Sequence, residues 1–209
     1  IYTLSLHDAL PIWFSAPRVG IGREEKRGIS TILLARSNSV WSPVGLPLMA
    51  AVGSQHFRDF LAGAHAVDEH FFNTPLRRNI PVFLGLISLW YNNFHGAQTH
   101  AVIPYTHLLR SLPAHLQQLD MESNGKHTLS DGRPARCDTG SIIWGSEGVN
   151  CQHAYFQLLQ QGTRLIPVDF IVPANTPYPQ ENRAFAATNA FAQAEALNQI
   201  GRASCRERV

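Results

Sequence analysis

Apolar residues recur along this chain in two rhythms, one helical and one extended, and the alternation of the two predicts its elements. Phe57, Phe60, Leu61, Ala64, Val67 and Phe71 fall at three- and four-residue steps, which predicts a helix over 54–72. Asn73-Thr74-Pro75 stops it. Residues 80–94 are apolar nearly all round, the pattern of a buried helix. Residues 98–105 hold the short run Ala101-Val102-Ile103, a strand closed by Pro104.

Ser111 is placed to cap a helix with Pro113 in its first turn, on which Leu112, Leu116 and Leu119 share a face until Ser123-Asn124-Gly125. Residues 126–139 form a polar loop with Asp131-Gly132 as a turn signal. SIIWG at 141–145 reads as a buried strand, and Asn150 as the cap of a helix ending at Gly162. Residues 165–172 read as the next strand, and 181–197 as an alanine-rich closing helix. Strands alternating with helices imply an α/β fold, a three-layer parallel sheet with helices on both faces. Such sheets bind ligands beyond the carboxyl ends of their strands.

The two ends do not fit this pattern. IYTLSLHDALPI at 1–12 and IGRASCRERV at 200–209 are related through the genetic code. One DNA strand encodes residues 3–12, and its reverse complement, read from the second base, translates as residues 200–209. Both ends therefore read as translated sequencing-adapter DNA and are set aside from fold reasoning. Residues 13–38 mix a charged cluster with glycines, without sustained periodicity, and stay unassigned.

Composition narrows the function classes. Of 209 residues, 44% are hydrophobic and 15% charged, enough to bury a core. A net charge of +2 argues against nucleic acid or an anionic membrane as partner. Three cysteines lie far apart, one of them in the excluded tail, so neither a zinc ribbon nor a disulfide framework is expected. With no membrane span or signal peptide in view, the expected setting is the cytoplasm.

Two constellations could carry chemistry. Glu122 in Gln118-Leu119-Asp120-Met121-Glu122-Ser123-Asn124-Gly125-Lys126 falls in the last turn of its helix, whose unpaired carbonyls make that end negative. A carboxylate there is disfavoured, which suits a general base near neutral pH. His153 in Gly145-Ser146-Glu147-Gly148-Val149-Asn150-Cys151-Gln152-His153 falls in a first turn, where the positive helix end favours the neutral imidazole that shuttles protons. Each alone also reads blandly, as a solvated helix-end glutamate and as a capping or packing histidine. Together they suggest a proton-transfer enzyme.

Other signals are weaker. His65 to His70 fits no metal-ligand spacing and reads as a solvated helix face. Trp90, Tyr91 and Phe94 read as core packing, and His95, His100, His107 and His115 show no carboxylate partner at ligand spacing.

In order along the chain, Ser39-Val40-Trp41-Ser42, Leu61-Ala62-Gly63-Ala64-His65, Trp90-Tyr91-Asn92-Asn93-Phe94, Ile103-Pro104-Tyr105, MESNGK at 121–126, Trp144-Gly145, QHA at 152–154 and Asp169-Phe170-Ile171 resemble the phosphoglucose isomerase family. The resemblance covers 39–199 and implies part of a sugar-isomerase (SIS) α/β domain. It implies an aldose-ketose isomerase interconverting glucose 6-phosphate and fructose 6-phosphate. Glu122 would move a proton between C2 and C1 through a cis-enediol, His153 would assist ring opening, and Gln118 would contact the substrate. No metal or organic cofactor is implied. The family is a homodimer in which the histidine serves the partner subunit's site. A non-catalytic sugar-phosphate-binding module of the same fold is the rival reading, but such modules lack the MESNGK base motif.

The departures bear on activity. Ser37 stands where the family has a charge-stabilising arginine, and Ala35 and Arg36 stand for two glycines, which makes 13–38 read as a frameshifted stretch. Cys151 replaces a glycine beside His153. The family's phosphate-binding loop and catalytic lysine have no counterpart in the sequence, so the polypeptide as it stands is expected to be an inactive piece of the enzyme.

Overall fold

The computed structural model describes residues 40–129 and 131–206. The readings made on 1–39 and on the last three residues lie outside them. The chain divides into two units, with the boundary between Ile87 and Ser88.

In the first unit a 3-10 turn, Pro43–Gly45, leads into α1 (Leu46–Val52) and then α2 (Ser54–Asn73). The expected stop operates as written. Thr74 is extended (φ −97°, ψ 131°) because Pro75 excludes helical backbone from the residue before it. After a 3-10 turn at Leu76–Arg78 comes α3 (Ile80–Phe94), within which the unit boundary falls. The fully buried Asn79 ties the junction together. Its amide donates to the carbonyls of Phe71 (2.7 Å) and Thr74 (3.3 Å), and its Oδ1 accepts from Val82 N–H (3.3 Å).

α3 has the predicted bounds but not the predicted burial. Pro81, Val82, Gly85 and Asn92 are buried, whereas Phe83, Leu84, Leu86, Ile87, Trp90 and Phe94 are exposed. Trp90 and Phe94 are therefore not core residues. All-round apolarity records what a helix can bury, but burial needs neighbours on every side. The described residues supply them along one strip only.

The second unit is built on three parallel strands in the order β2-β1-β3. They are β1 (Thr99–Pro104), β2 (Ile142–Trp144) and β3 (Val168–Ile171). Central β1 is buried from Ala101 to Pro104, which explains its unbroken apolar run. On one face Ala101, Ile103 and Tyr105 pack against Cys151 and Phe156 of α6 (Gly148–Gln161) and Ala190 of α7 (Gln180–Arg206). Sealing a side chain such as Ile103 from water is worth about 1.5–3 kcal/mol. On the other face lies α4 (Leu112–Leu116), which continues as a π turn, Gln117–Met121, into the last helical turn, α5 (Glu122–Asn124). Buried Pro113 and Leu119 anchor it there. The three-layer parallel arrangement is as expected, with shorter strands and with Ile142 of edge strand β2 exposed. α7 runs past the expected end to Arg206.

The loop 126–139 carries its turn at Gly132, whose φ of 83° suits glycine. Asp131 clasps Arg133 through backbone N–H (3.1 Å) and Nε (2.7 Å), which holds the Asp131 carboxyl below its ordinary range. Asn93 pins the loop by accepting from Asp138 N–H (2.9 Å) and donating to its carbonyl (3.1 Å), while Asn92 donates to the Thr139 carbonyl. The paired asparagines of the WYNNF segment thus fix the approach to β2.

Candidate active site

Chemistry-bearing groups gather at opposite edges of the sheet. At the amino edge, β1 opens with Thr99-His100, and the helix on that face ends with Glu122, Ser123 and Asn124. The Asn124 carbonyl accepts from Gly140 N–H (3.0 Å), two residues before β2 begins. Glu122 and Gln118 are both exposed there, one turn apart. Lys126 folds back so that its ammonium donates to the carbonyls of Glu122 (2.7 Å) and Ser123 (2.6 Å). The uncompensated negative helix end that motivated Glu122 as a base is therefore capped by a cation. What remains in its favour is position and exposure.

Behind this turn lies a cluster of ionisable groups that the sequence pattern did not disclose. Nε2 of His100 is 2.9 Å from Asp169 Oδ2 on β3. The carboxylate lies off the ring's N–H axis, so the contact leaves Nε2 without an aligned hydrogen bond. Asp120, in the π turn, lies within electrostatic reach of His100. Burial pushes the Asp120 carboxyl up, while the Asn124 amide, donating at 2.6 Å, and the nearby imidazole pull it part of the way back.

At the carboxyl edge the chain leaves β1 for α4 on one face and β2 for α6 on the other, which makes the ends of β1 and β2 the topological switch point of the sheet. The buried Tyr105 hydroxyl accepts from Gln152 Nε2 (2.8 Å), and His107 Nδ1 lies 3.1 Å from Glu147 Oε2. His107 and His100 thus both have carboxylate partners. Register and crossover supply them, and spacing along the chain reveals neither. Burial raises the Tyr105 phenol, partly offset by Gln152.

α6 begins at Gly148 with Glu147 at its cap, not at Asn150. Gly145, at φ 146°, lets the chain turn against β1, and Gly148 starts the helix flush with the Tyr105 ring. Asn150 is then inside the helix and His153 sits in the second turn, where the helix dipole acts weakly. His153 is exposed. Cys151, one turn in, is buried with its Sγ donating to the Gly148 carbonyl (3.2 Å), and burial raises its thiol.

Tyr155 stacks edge-on against Trp144 and meets Ser146 Oγ at 3.2 Å. Burial pushes its phenol up to about 12, with Cys151 adding to the shift and Ser146 opposing it. A phenol harder to ionise when folded favours unfolding as pH rises from its ordinary value of 10.0 through about 12. Wild type therefore loses stability across that window and Y155F loses less. Urea unfolding at pH 9 and pH 11.5 checks this, and equal losses in both proteins would refute it.

The structure brings Gln118 and Glu122 together and holds His153 apart from them within one chain. The two groups lie on opposite faces of the sheet and at opposite ends of β1, a strand about 17 Å long at about 3.3 Å per residue. In the first unit, His70 accepts from Ile80 N–H at Nε2 (3.1 Å) and meets Thr74 Oγ1 with Nδ1 (3.2 Å). It is thus a part-buried clamp at the start of α3, a more specific role than the solvated face expected for it.

The family model for phosphoglucose isomerase matches residues 20–208. The chain belongs to the phosphoglucose isomerase family. Glucose-6-phosphate isomerase 2 of Neisseria gonorrhoeae is 65% identical over 160 residues, which are 76% of this chain and 29% of that protein. The corresponding protein of Chromobacterium violaceum is 57% identical over the same share. A crystal structure of a glucose-6-phosphate isomerase from Chlamydia trachomatis superposes with a TM-score of 0.68 at 38% identity, covering 77% of this chain and 32% of that one. A hypothetical protein from Thermus thermophilus gives a TM-score of 0.61 at 26% identity, covering 78% and 41%. The chain thus spans 29% of the length of these curated relatives. Membership places the three-stranded sheet within a sugar-isomerase fold. No helix among the described residues is long and apolar enough to cross a membrane.

Proposed function

We propose that the phosphoglucose isomerase to which this chain belongs interconverts glucose 6-phosphate and fructose 6-phosphate, with Glu122 as its base. The supporting observation is the exposed Glu122 carboxylate on an anchored helix end, one turn from Gln118, in a chain 65% identical to a glucose-6-phosphate isomerase. In the open-chain sugar, Glu122 takes the proton from C2 of the aldose; O1 takes up a proton as the cis-enediol forms, O2 gives one up as the ketone forms, and Glu122 returns its proton to C1. No atom is gained or lost, and no electron leaves the substrate. Gln118 contacts the substrate beside the base. His153 moves the ring-oxygen proton during opening.

Because one chain keeps Glu122 and His153 at opposite edges of the sheet, the reading requires a homodimer in which His153 completes the partner's site. A single folded chain gives no turnover. Free Cys137 and Cys151 support a reducing, cytoplasmic setting.

The test exchanges residues 39–199 of this chain into a family-length relative and assays fructose 6-phosphate turnover by coupling to a dehydrogenase. Activity is retained if the segment carries the base. Mixing and reannealing the inactive variants E122Q and H153N then restores about a quarter of wild-type activity, because half of the dimers are hybrids with one intact site each. No recovery on mixing would show that both groups serve the same chain's site.

A further inference from the structure

Glu122 stands on the last turn of its helix, directly after the π turn at Gln117–Met121, and single π turns within α-helices recur at functional sites. Beyond Asn124 the backbone leaves the helix at Gly125 (φ −75°, ψ 43°), so no further turn stiffens α5. Helix ends of this kind fray unless they are tied down. Two ties meet on Asn124. Its side-chain amide donates to Asp120 Oδ1 at 2.6 Å, and its carbonyl accepts from Gly140 N–H at 3.0 Å. Gly140 lies flush against this residue, since a Cβ built on the glycine would come within 3.1 Å of the Asn124 carbonyl carbon and Cβ. Glu122 N–H donates to the Gln118 carbonyl, so the base is also bonded into the turn that carries Gln118.

At about 3.6 residues per turn, residues four apart share a side of a helix, and the residue midway between them faces the other way. Asp120 and Asn124 are half-buried and Glu122 is exposed, as that spacing requires. We infer that Asn124 is a positioning residue for Glu122. Its amide ties the last turn to the π turn and its carbonyl ties it to the approach to β2, so the carboxylate is presented from the opposite side at a fixed angle. Asparagine suits the task because its amide donates to the carboxyl of Asp120, whereas an aspartate of the same size would set one carboxyl against another. The Lys126 ammonium holds the adjoining carbonyls of Glu122 and Ser123 and so secures the same turn through different atoms. The inference rests on the reading of Glu122 as base, since aim matters only to a group that acts.

The experiment uses the segment-exchanged, family-length enzyme with N124A, N124D, the reciprocal swap D120N/N124D, E122Q and E122Q/N124A. N124A lowers kcat about 10- to 100-fold, the usual cost of misplacing a reacting group by about an ångström, while KM stays within about twofold. N124D loses at least as much. The swap restores an amide facing a carboxylate, with the two residue types exchanged, and recovers kcat to within about threefold of wild type. E122Q/N124A turns over at the rate of E122Q, because no base is left to aim. Wild-type kcat in N124A would overturn the inference, as would a swap no more active than N124D. A second 10-fold loss on adding N124A to E122Q would also overturn it, since Asn124 would then act on something other than the base. If N124D does not fold, N124A and the swap carry the test by the same criteria. Turnover by E122Q at the wild-type rate would instead remove the base assignment, and that outcome is separate from the others.

Discussion

Replacing Glu122 by glutamine lowers kcat about 10²- to 10⁴-fold in the segment-exchanged enzyme, the range that a positioned general base contributes. The substitution is informative because it changes little else. Glutamine has nearly the size and helix preference of glutamate, and no side chain among the described residues bonds the Glu122 carboxylate. What supports the turn is main chain and neighbours, namely the Lys126 ammonium on two carbonyls, the Asp120–Asn124 bond and the Gly140–Asn124 bond. None passes through the Glu122 side chain. Folded fraction and KM are expected to stay near wild type while kcat falls. Coupled turnover and circular dichroism check both sides. A kcat within about threefold of wild type would remove Glu122 from the mechanism.

The largest effect on folding is expected from Gly145→Ala. Gly145 has a φ of 146°, where a Cβ is strained, and a Cβ built there would lie 1.9 Å from the Val102 carbonyl oxygen. That obstacle is main chain of the central strand and cannot rotate aside. Strain of about 1–3 kcal/mol, plus overpacking of similar size, sums to about 2–6 kcal/mol. A domain stable by about 5–15 kcal/mol loses much of its margin to such a change. Thermal melting of the 209-residue chain should show it as a fall in Tm well beyond that of S146A, one residue on. Equal Tm values for G145A and wild type would mean that β2 does not approach β1 in this way.

Much of this organisation was legible in the residues. The stop of α2 follows from Asn73-Thr74-Pro75, because a proline restricts the backbone before it wherever it stands. A helix at 54–72 follows from periodicity, one at 80–94 from nearly continuous apolarity, and a strand through Ala101-Val102-Ile103 from a short apolar run closed by proline. The MESNGK and QHA segments brought out the correct family. Less legible was the start of α6. Asn150 looks like a cap by residue type, but the space that only Gly145 and Gly148 can occupy beside Val102 and Tyr105 begins the helix at Gly148. The electrostatic argument for Glu122 missed that Lys126, four residues on, would curl back onto the same carbonyls. A lysine in that place was visible, but not its conformation.

Local order and family were thus determined by the chain alone, since helix propensity, proline geometry and residue order act between near neighbours. Only the tertiary structure decided which charges meet. His100 reaches Asp169 through β1–β3 register, which does not depend on distance along the sequence. The same packing placed Glu122 and His153 on opposite faces of one sheet, because a crossover returns each successive helix to the side that the strand order dictates.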